Sequence, residues 1–244
     1  MSRQLTLSPA ALYRMKTLLV TGTDTGVGKT WVTSLLVRWF RRQGISVGAY
    51  KPVCSGAEIT SRGEVVWADI EALRAACGFD PEIDLVCPQR FHAAVAPNIA
   101  ARMEDRLVDS RLLINGAARW TAHVDQLIIE GAGGIFCPLS DELTVMDVAV
   151  ELRTPTIVVS ANRLGVINHT RLTVEALQTR GLPVLAIVLN EIAPDSQENS
   201  DPSGSTNAAQ IRHWLPGTPL FHCSWRATEI TSISDGVSLA DLLP

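Results

Sequence analysis

Short apolar runs, several rich in β-branched residues, alternate along the chain with longer stretches whose apolar positions recur every three or four residues. Runs of the first kind, at 18–20, 46–50, 126–129, 156–159 and 184–189, have the length and composition of buried strands. Helical spacing predicts helices over 29–42, 66–77, 109–121, 144–152, 167–180 and 208–215. In the first of these, Trp31, Val32, Leu35, Leu36 and Trp39 should face the sheet. Arg38, Arg41 and Arg42 suit the negative end of its dipole, and Gly44 stops it. Polar or proline-broken stretches at 58–64, 78–97 and 194–207 read as loops. The alternation predicts one α/β domain, a mostly parallel sheet with helices on both faces, without internal repeat or interdomain linker.

In such a sheet, ligands bind beyond the carboxyl ends of the strands. The conspicuous polar residues fall there in succession. Gly22-Thr23-Asp24-Thr25-Gly26-Val27-Gly28-Lys29-Thr30 joins the first strand to the first helix. Its glycines let backbone N–H groups curl around an anion, and the helix start adds unpaired N–H groups and a positive dipole end. Lys29 places a point charge on the outer phosphates, and the Thr30 hydroxyl suits a magnesium ion. Five residues separate Gly22 from Gly28, where the usual phosphate loop has four, so this is a variant of the pattern.

Lys51 and Ser55 follow the second strand. Pro52 restricts the backbone of Lys51. Beside phosphates this lysine would neutralise charge developing during transfer; alone, it reads equally well as an idle surface lysine. Ser55 by itself is a turn residue as readily as a ligand. Glu130 ends a middle strand, where phosphate-loop proteins often hold magnesium, and the adjoining Gly131-Ala132-Gly133-Gly134 lets a ligand approach the backbone. A helix cap or a structural ion pair is the alternative. Asn190 ends a late strand. Asp69, on the second helix, has the spacing of an ordinary solvated residue. No nucleophile–base constellation is visible, so covalent catalysis is not expected.

Bulk properties narrow the classes. The chain has 244 residues, is 46% hydrophobic and carries a formal net charge of −4. Without a basic stripe, nucleic acid is not an expected partner. No apolar run reaches the ~18 residues of a membrane span. Residues 1–14 lack a signal peptide's apolar core and read as an extension ahead of a single domain over 15–244, with Met15 an alternative start. Cys54, Cys77, Cys87, Cys137 and Cys223 are odd in number and contain no Cys-x-x-Cys pair. They read as buried or incidental thiols in a reducing cytoplasm rather than as disulfides or a zinc site. The five histidines show no metal spacing.

Together the motifs resemble the dethiobiotin synthetase family of the P-loop NTPase superfamily. The resemblance rests on 22–30, Gly-Ala-Tyr-Lys-Pro-Val at 48–53, Glu-Gly-Ala-Gly-Gly at 130–134, Pro-Leu-Ser-Asp at 138–141, Leu-Gly-Val-Ile-Asn-His at 164–169 and Asn190. It implies a homodimeric ligase of biotin biosynthesis, dependent on ATP and magnesium. Such an enzyme carboxylates 7,8-diaminononanoate with CO2 and closes the ring through a carbamate and a carbamic–phosphoric anhydride, releasing ADP and phosphate. By resemblance, Gly26, Val27, Gly28, Lys29, Thr30 and Trp31 would hold the ATP phosphates. Thr30, Asp69 and Glu130 would surround Mg2+. The backbone of Glu130, Gly131, Ala132 and Gly133 would line the nucleotide and substrate site, and Asn190 would read the adenine edge. Lys51 matches the family's catalytic lysine, working with Lys29. Thr25, Ser55 and Asn168 would contact the diamine, Asn168 across the subunit interface.

The chain departs from the family pattern in three places. Arg163 stands where many members have lysine, Glu191 where many have aspartate, and the late Gly-x-Ile-Pro that borders the adenine is missing, with 219–223 the nearest candidate. Two rivals fit less well. A related amide-forming ligase would carry a glutaminase domain, for which no chain remains after Leu243. Partitioning-type switch ATPases have a second lysine where this loop has Asp24.

Overall fold

The computed structural model describes residues 15–194, 201–234 and 236–242. The elements run β1 (Lys16–Gly22), α1 (Lys29–Arg42), β2 (Val47–Tyr50), β3 (Cys54–Ser55), β4 (Glu58–Ile59), β5 (Val65–Val66), α2 (Ala68–Cys77) and α3 (Ile83–Val86). They continue as β6 (Arg90–Phe91), α4 (Pro97–Arg102), α5 (Ser110–Ala118), β7 (Gln126–Gly134), α6 (Val145–Leu152) and β8 (Thr156–Ala161). The remainder is α7 (Val166–Thr179), β9 (Val184–Asn190), α8 (Gly204–Trp214), β10 (Leu220–Cys223), β11 (Thr231–Ser232) and α9 (Leu239–Leu242).

Seven strands form one sheet in the order β11-β10-β9-β8-β1-β7-β2. All neighbouring pairs are parallel except β10 with β11. All six residues of β8 are buried. Successive side chains of a strand point to opposite faces, so both faces of the sheet are covered. The order places β1, carrier of the phosphate loop, between β7 and β8 in the interior of the sheet. The pairing of β1 with β7 shifts between Val20 and Gly22, where the strand gives way to the loop.

The packing of α1 differs from the sequence expectation at both tryptophans. Val32, Leu35 and Leu36 are buried as expected, but Phe40 completes the buried face. Trp39 is half-buried, and Trp31 is 41% exposed at the helix's first turn, near the rim. The buried positions at 32, 36 and 40 step by four, which leaves 31 and 39 on the flank of the stripe. Elsewhere, Gly48 gives the fully buried Trp120 its place, since a Cβ there would lie 2.3 Å from the ring.

Two loops contain more structure than expected. The stretch 78–97 holds α3 and β6, and it leads into α4, which starts at Pro97. Proline at a first helical position is pre-set for it, so the same residue that broke the apolar pattern begins a helix. Across 58–66, β4 and β5 pair as a short hairpin, which takes Val66 out of the helix expected from 66 and leaves α2 to start at Ala68. Helix α8 starts at Gly204, ahead of the expected 208. The extension 1–14 lies outside the described residues, as do 195–200 within the 194–207 loop. Among the described residues no helix is long and apolar enough to cross a membrane. All five cysteines are free. Burial pushes the thiols of Cys54, Cys77 and Cys223 up to about 11, so they are protonated at neutral pH.

Candidate active site

The loop 23–28 passes from the end of β1 to α1 through Gly28, whose backbone is left-handed (φ 88°). A side chain at this position would also collide with Asn190, whose amide nitrogen lies 2.1 Å from where a Cβ would stand. Asn190 donates from Nδ2 to the Val27 carbonyl at 2.9 Å, tying the end of β9 to the loop. Its Oδ1 is buried with no hydrogen-bond partner among the described residues. The Lys29 ammonium turns back on the loop and donates to the Asp24 carbonyl at 3.0 Å. Burial and the nearby Lys51 charge lower its pKa, against the opposing pull of Glu130 and Asp69. The Asp24 carboxylate is 3.6 Å from the Arg163 guanidinium.

Four side chains from four different segments meet beside this loop. Lys51 Nζ donates to Asp69 Oδ2 at 2.7 Å and to Glu130 Oε1 at 2.6 Å. Thr30 Oγ1 lies 2.9 Å from Asp69 Oδ1 and 2.8 Å from Glu130 Oε1. Glu130 is fully buried, and its Oε2 has no partner among the described residues. Burial alone would lower the pKa of Lys51, but the charges of Glu130 and Asp69 outweigh it and hold the ammonium well above its ordinary value. Burial likewise works to raise Asp69, and the Lys51 charge with hydrogen bonds from Lys51 and Thr30 reverses the sign, leaving it lowered. Lys51 is held in place from behind, its backbone N–H donating to the Val86 carbonyl at 2.8 Å.

A hydroxyl and two carboxylates are hard oxygen donors of the kind magnesium takes, and the orphaned Glu130 oxygen leaves coordinating capacity at the same place. Among the described residues no group of three or more histidine, cysteine or acidic side chains could hold a metal. An ion here would therefore complete its shell from water and phosphate, as magnesium in nucleotide sites commonly does.

One cavity of ≈ 540 Å³ joins these parts. Its wall includes Thr25, Gly26, Gly28, Lys29, Thr30, Lys51, Ser55, Asp69, Ala132 and Gly133, all anticipated from the sequence. Ala94, Val95, Ala96, Pro97 and Cys137 also line it and were not anticipated. Ser55 Oγ donates to the Val95 carbonyl at 2.7 Å, which docks the 94–97 turn against β3. The signal was faint: Ala-Val-Ala-Pro is apolar and small, without a chemical group to mark it. Val27, Trp31, Glu130, Gly131 and Asn190 are not part of the cavity lining. Asn168 is exposed on α7, apart from that lining.

The segment 219–223 forms β10, and Cys223 pairs in register with Asn190. Next to it, Glu191 Oε1 is 3.0 Å from His222 Nε2 and accepts from Asn162 Nδ2 at 2.6 Å. Glu191 is thus engaged within the protein.

A phosphate loop after an interior strand, with a lysine and two carboxylates converging on its threonine, defines a P-loop nucleotide-binding domain. A family model described as an AAA domain matches residues 16–221. The chain is 39% identical over 221 residues to the ATP-dependent dethiobiotin synthetase BioD of Rhodopirellula baltica, covering 86% of this chain and 82% of that protein. Its identity to the protein of that name from an Anaeromyxobacter species is 42% over 206 residues, with 84% and 88% covered. The chain belongs to the ATP-dependent dethiobiotin synthetase family. Among solved structures, the cell division protein FtsY of Thermotoga maritima superimposes with a TM-score of 0.51 at 17% identity. That match covers 90% of this chain and 65% of FtsY, and it is a likeness of fold alone.

Proposed function

We propose that this protein makes dethiobiotin: it carboxylates 7,8-diaminononanoate with CO2 at the expense of ATP and closes the ureido ring. The observation that carries the proposal is the composition of the cavity beside the phosphate loop. Lys29 and Thr30 of the phosphate loop share it with Lys51, with Ser55, and with the apolar turn 94–97. The first set suits a triphosphate; the last suits the hydrocarbon chain of a diamine. A volume of ≈ 540 Å³ falls within the range of small-molecule sites.

In this reading one amine of the substrate takes up CO2 and loses a proton to give a carbamate. The carbamate oxygen attacks the γ-phosphorus, the bond to the β-phosphate oxygen breaks, and ADP leaves. The second amine then attacks the carbonyl carbon of the mixed anhydride, forming the second C–N bond and expelling phosphate. Phosphoryl transfer needs alignment and charge neutralisation more than a dedicated base. Lys29 would neutralise the outer phosphates, and Lys51 the oxygens between carbamate and phosphate. Thr30, Asp69 and Glu130 would hold magnesium, whose charge when bound would offset that of the β- and γ-phosphates. The buried Asn190 Oδ1, lacking a partner among the described residues, would accept from the adenine amino group.

Asn168, exposed and away from the cavity lining, fits a role at the substrate carboxylate only if a second subunit brings it there, so the working form would be a homodimer. Sedimentation at twice the 26.4 kDa chain mass is the expected result, and a monomer at working concentration would remove Asn168 from the site. For the chemistry, Lys51→Ala should leave ATP binding largely intact and cut turnover ~10²-fold or more, the scale of one lost transition-state donor. Unchanged turnover would take Lys51 out of the mechanism.

A further inference from the structure

Lys51 Nζ and the Thr30 hydroxyl converge on the same two carboxylates, and both lie within hydrogen-bond distance of one atom, Glu130 Oε1. The ammonium therefore sits among the oxygen donors that a magnesium ion would use. A bound magnesium lies about 2.0–2.1 Å from its ligand oxygens. With Nζ 2.6 Å from Glu130 Oε1 and 2.7 Å from Asp69 Oδ2, ion and ammonium would contend for the same oxygens at van der Waals range. Two cations that close repel strongly in a site whose carboxylate is fully buried.

We infer that Lys51 is a placeholder cation: it neutralises Asp69 and Glu130 in the empty site and is displaced from them when a divalent ion enters. This deepens the proposed function and rests on it. Displacement has somewhere to lead. Lys51 lines the same cavity as Lys29 and Gly28, so an ammonium leaving the carboxylates swings into the space that a nucleotide's phosphates would fill. Without those phosphates the freed, buried ammonium has no anion to meet, and the exchange is unfavourable. The ion should accordingly enter with the nucleotide rather than ahead of it. Lys51 would be delivered to the reacting oxygens only once the ion is in place. Competition of this kind is reciprocal: whatever Lys51 costs the ion, the ion costs Lys51.

The test uses the full chain and Mn2+ alone, followed by electron paramagnetic resonance without nucleotide. Lys51→Met and Lys51→Gln should each bind Mn2+ at least about tenfold more tightly than the wild type, within the usual range of coupling between sites. Mn2+ should also raise the melting temperature of the variants more than that of the wild type. Equal affinity in wild type and folded variants would overturn the inference. If both substitutions prevent folding, wild-type crystals decide. Anomalous scattering should show Mn2+ between Asp69 and Glu130 only with a nucleotide present, and Lys51 then withdrawn from both carboxylates. Mn2+ at that place with Lys51 still bonded to both would contradict it. Neither experiment uses the diamine. Tightened Mn2+ binding without diamine turnover would sink the functional reading alone, and the converse would sink this inference alone.

Discussion

A buried carboxylate persists in a protein only where another group balances it. Glu130 is fully buried on β7, and Lys51, itself only 3% exposed, supplies the balance. Removing one partner of such a pair commonly costs about 3–5 kcal/mol. Gly28 governs the loop in a different way. Its left-handed backbone strains any other residue by roughly 1–2 kcal/mol, and an added methyl group would displace the Asn190 amide. Gly28→Ala should weaken ATP binding at least about tenfold, or ~1.4 kcal/mol, in a calorimetric titration. Unaltered affinity would mean that the Asn190–Val27 bond does not shape the nucleotide site. At this scale the sequence was legible where chemistry is local. The phosphate loop declares itself in nine consecutive residues. Asp69 does not, because its partners stand 39 residues away at Thr30 and 18 away at Lys51, and only the fold brings them together.

Among the elements, those with long periodic patterns and clear end signals were readable. Helix α6 begins one residue after the expected start because Thr144 is its cap: the side chains of Thr144 and Asp147 each bond the other's backbone N–H. Thr144→Ala should destabilise the protein by about 1 kcal/mol in chemical denaturation. The hydrogen bonds from Thr144 hold the Asp147 carboxyl below its ordinary value of 3.8. A lowered folded value means a contribution present above 3.8 that is lost as pH falls through the folded value. The wild-type advantage over Thr144→Ala should hold at neutral pH and narrow in acid below that point; an advantage that widens there would refute the linkage. The short elements α3, β6 and α4 were not legible. With 4, 2 and 6 residues, they are too short for a period to register. Their positions are set by tertiary contacts such as the bond from Ser55 to Val95.

For the molecule as a whole, parallel strand order does what no single motif can. It brings the ends of β1, β2 and β9 to one rim, and although β7 runs on to Gly134 instead of ending at Glu130, its register with Val20 of β1 and the end of β2 sets Glu130 level with Lys51 there. The fold class followed from the strand–helix alternation, and so did the rim. The cavity's apolar wall did not, since small apolar residues carry no mark of function. In the proposed function, ATP turnover at this rim is coupled to ring closure on a diamine. ADP release should therefore be measured with Mg2+ and bicarbonate, before and after 7,8-diaminononanoate is added. A low rate should rise sharply with the diamine, one dethiobiotin appearing for each ADP. ATP turnover indifferent to the diamine would contradict that coupling.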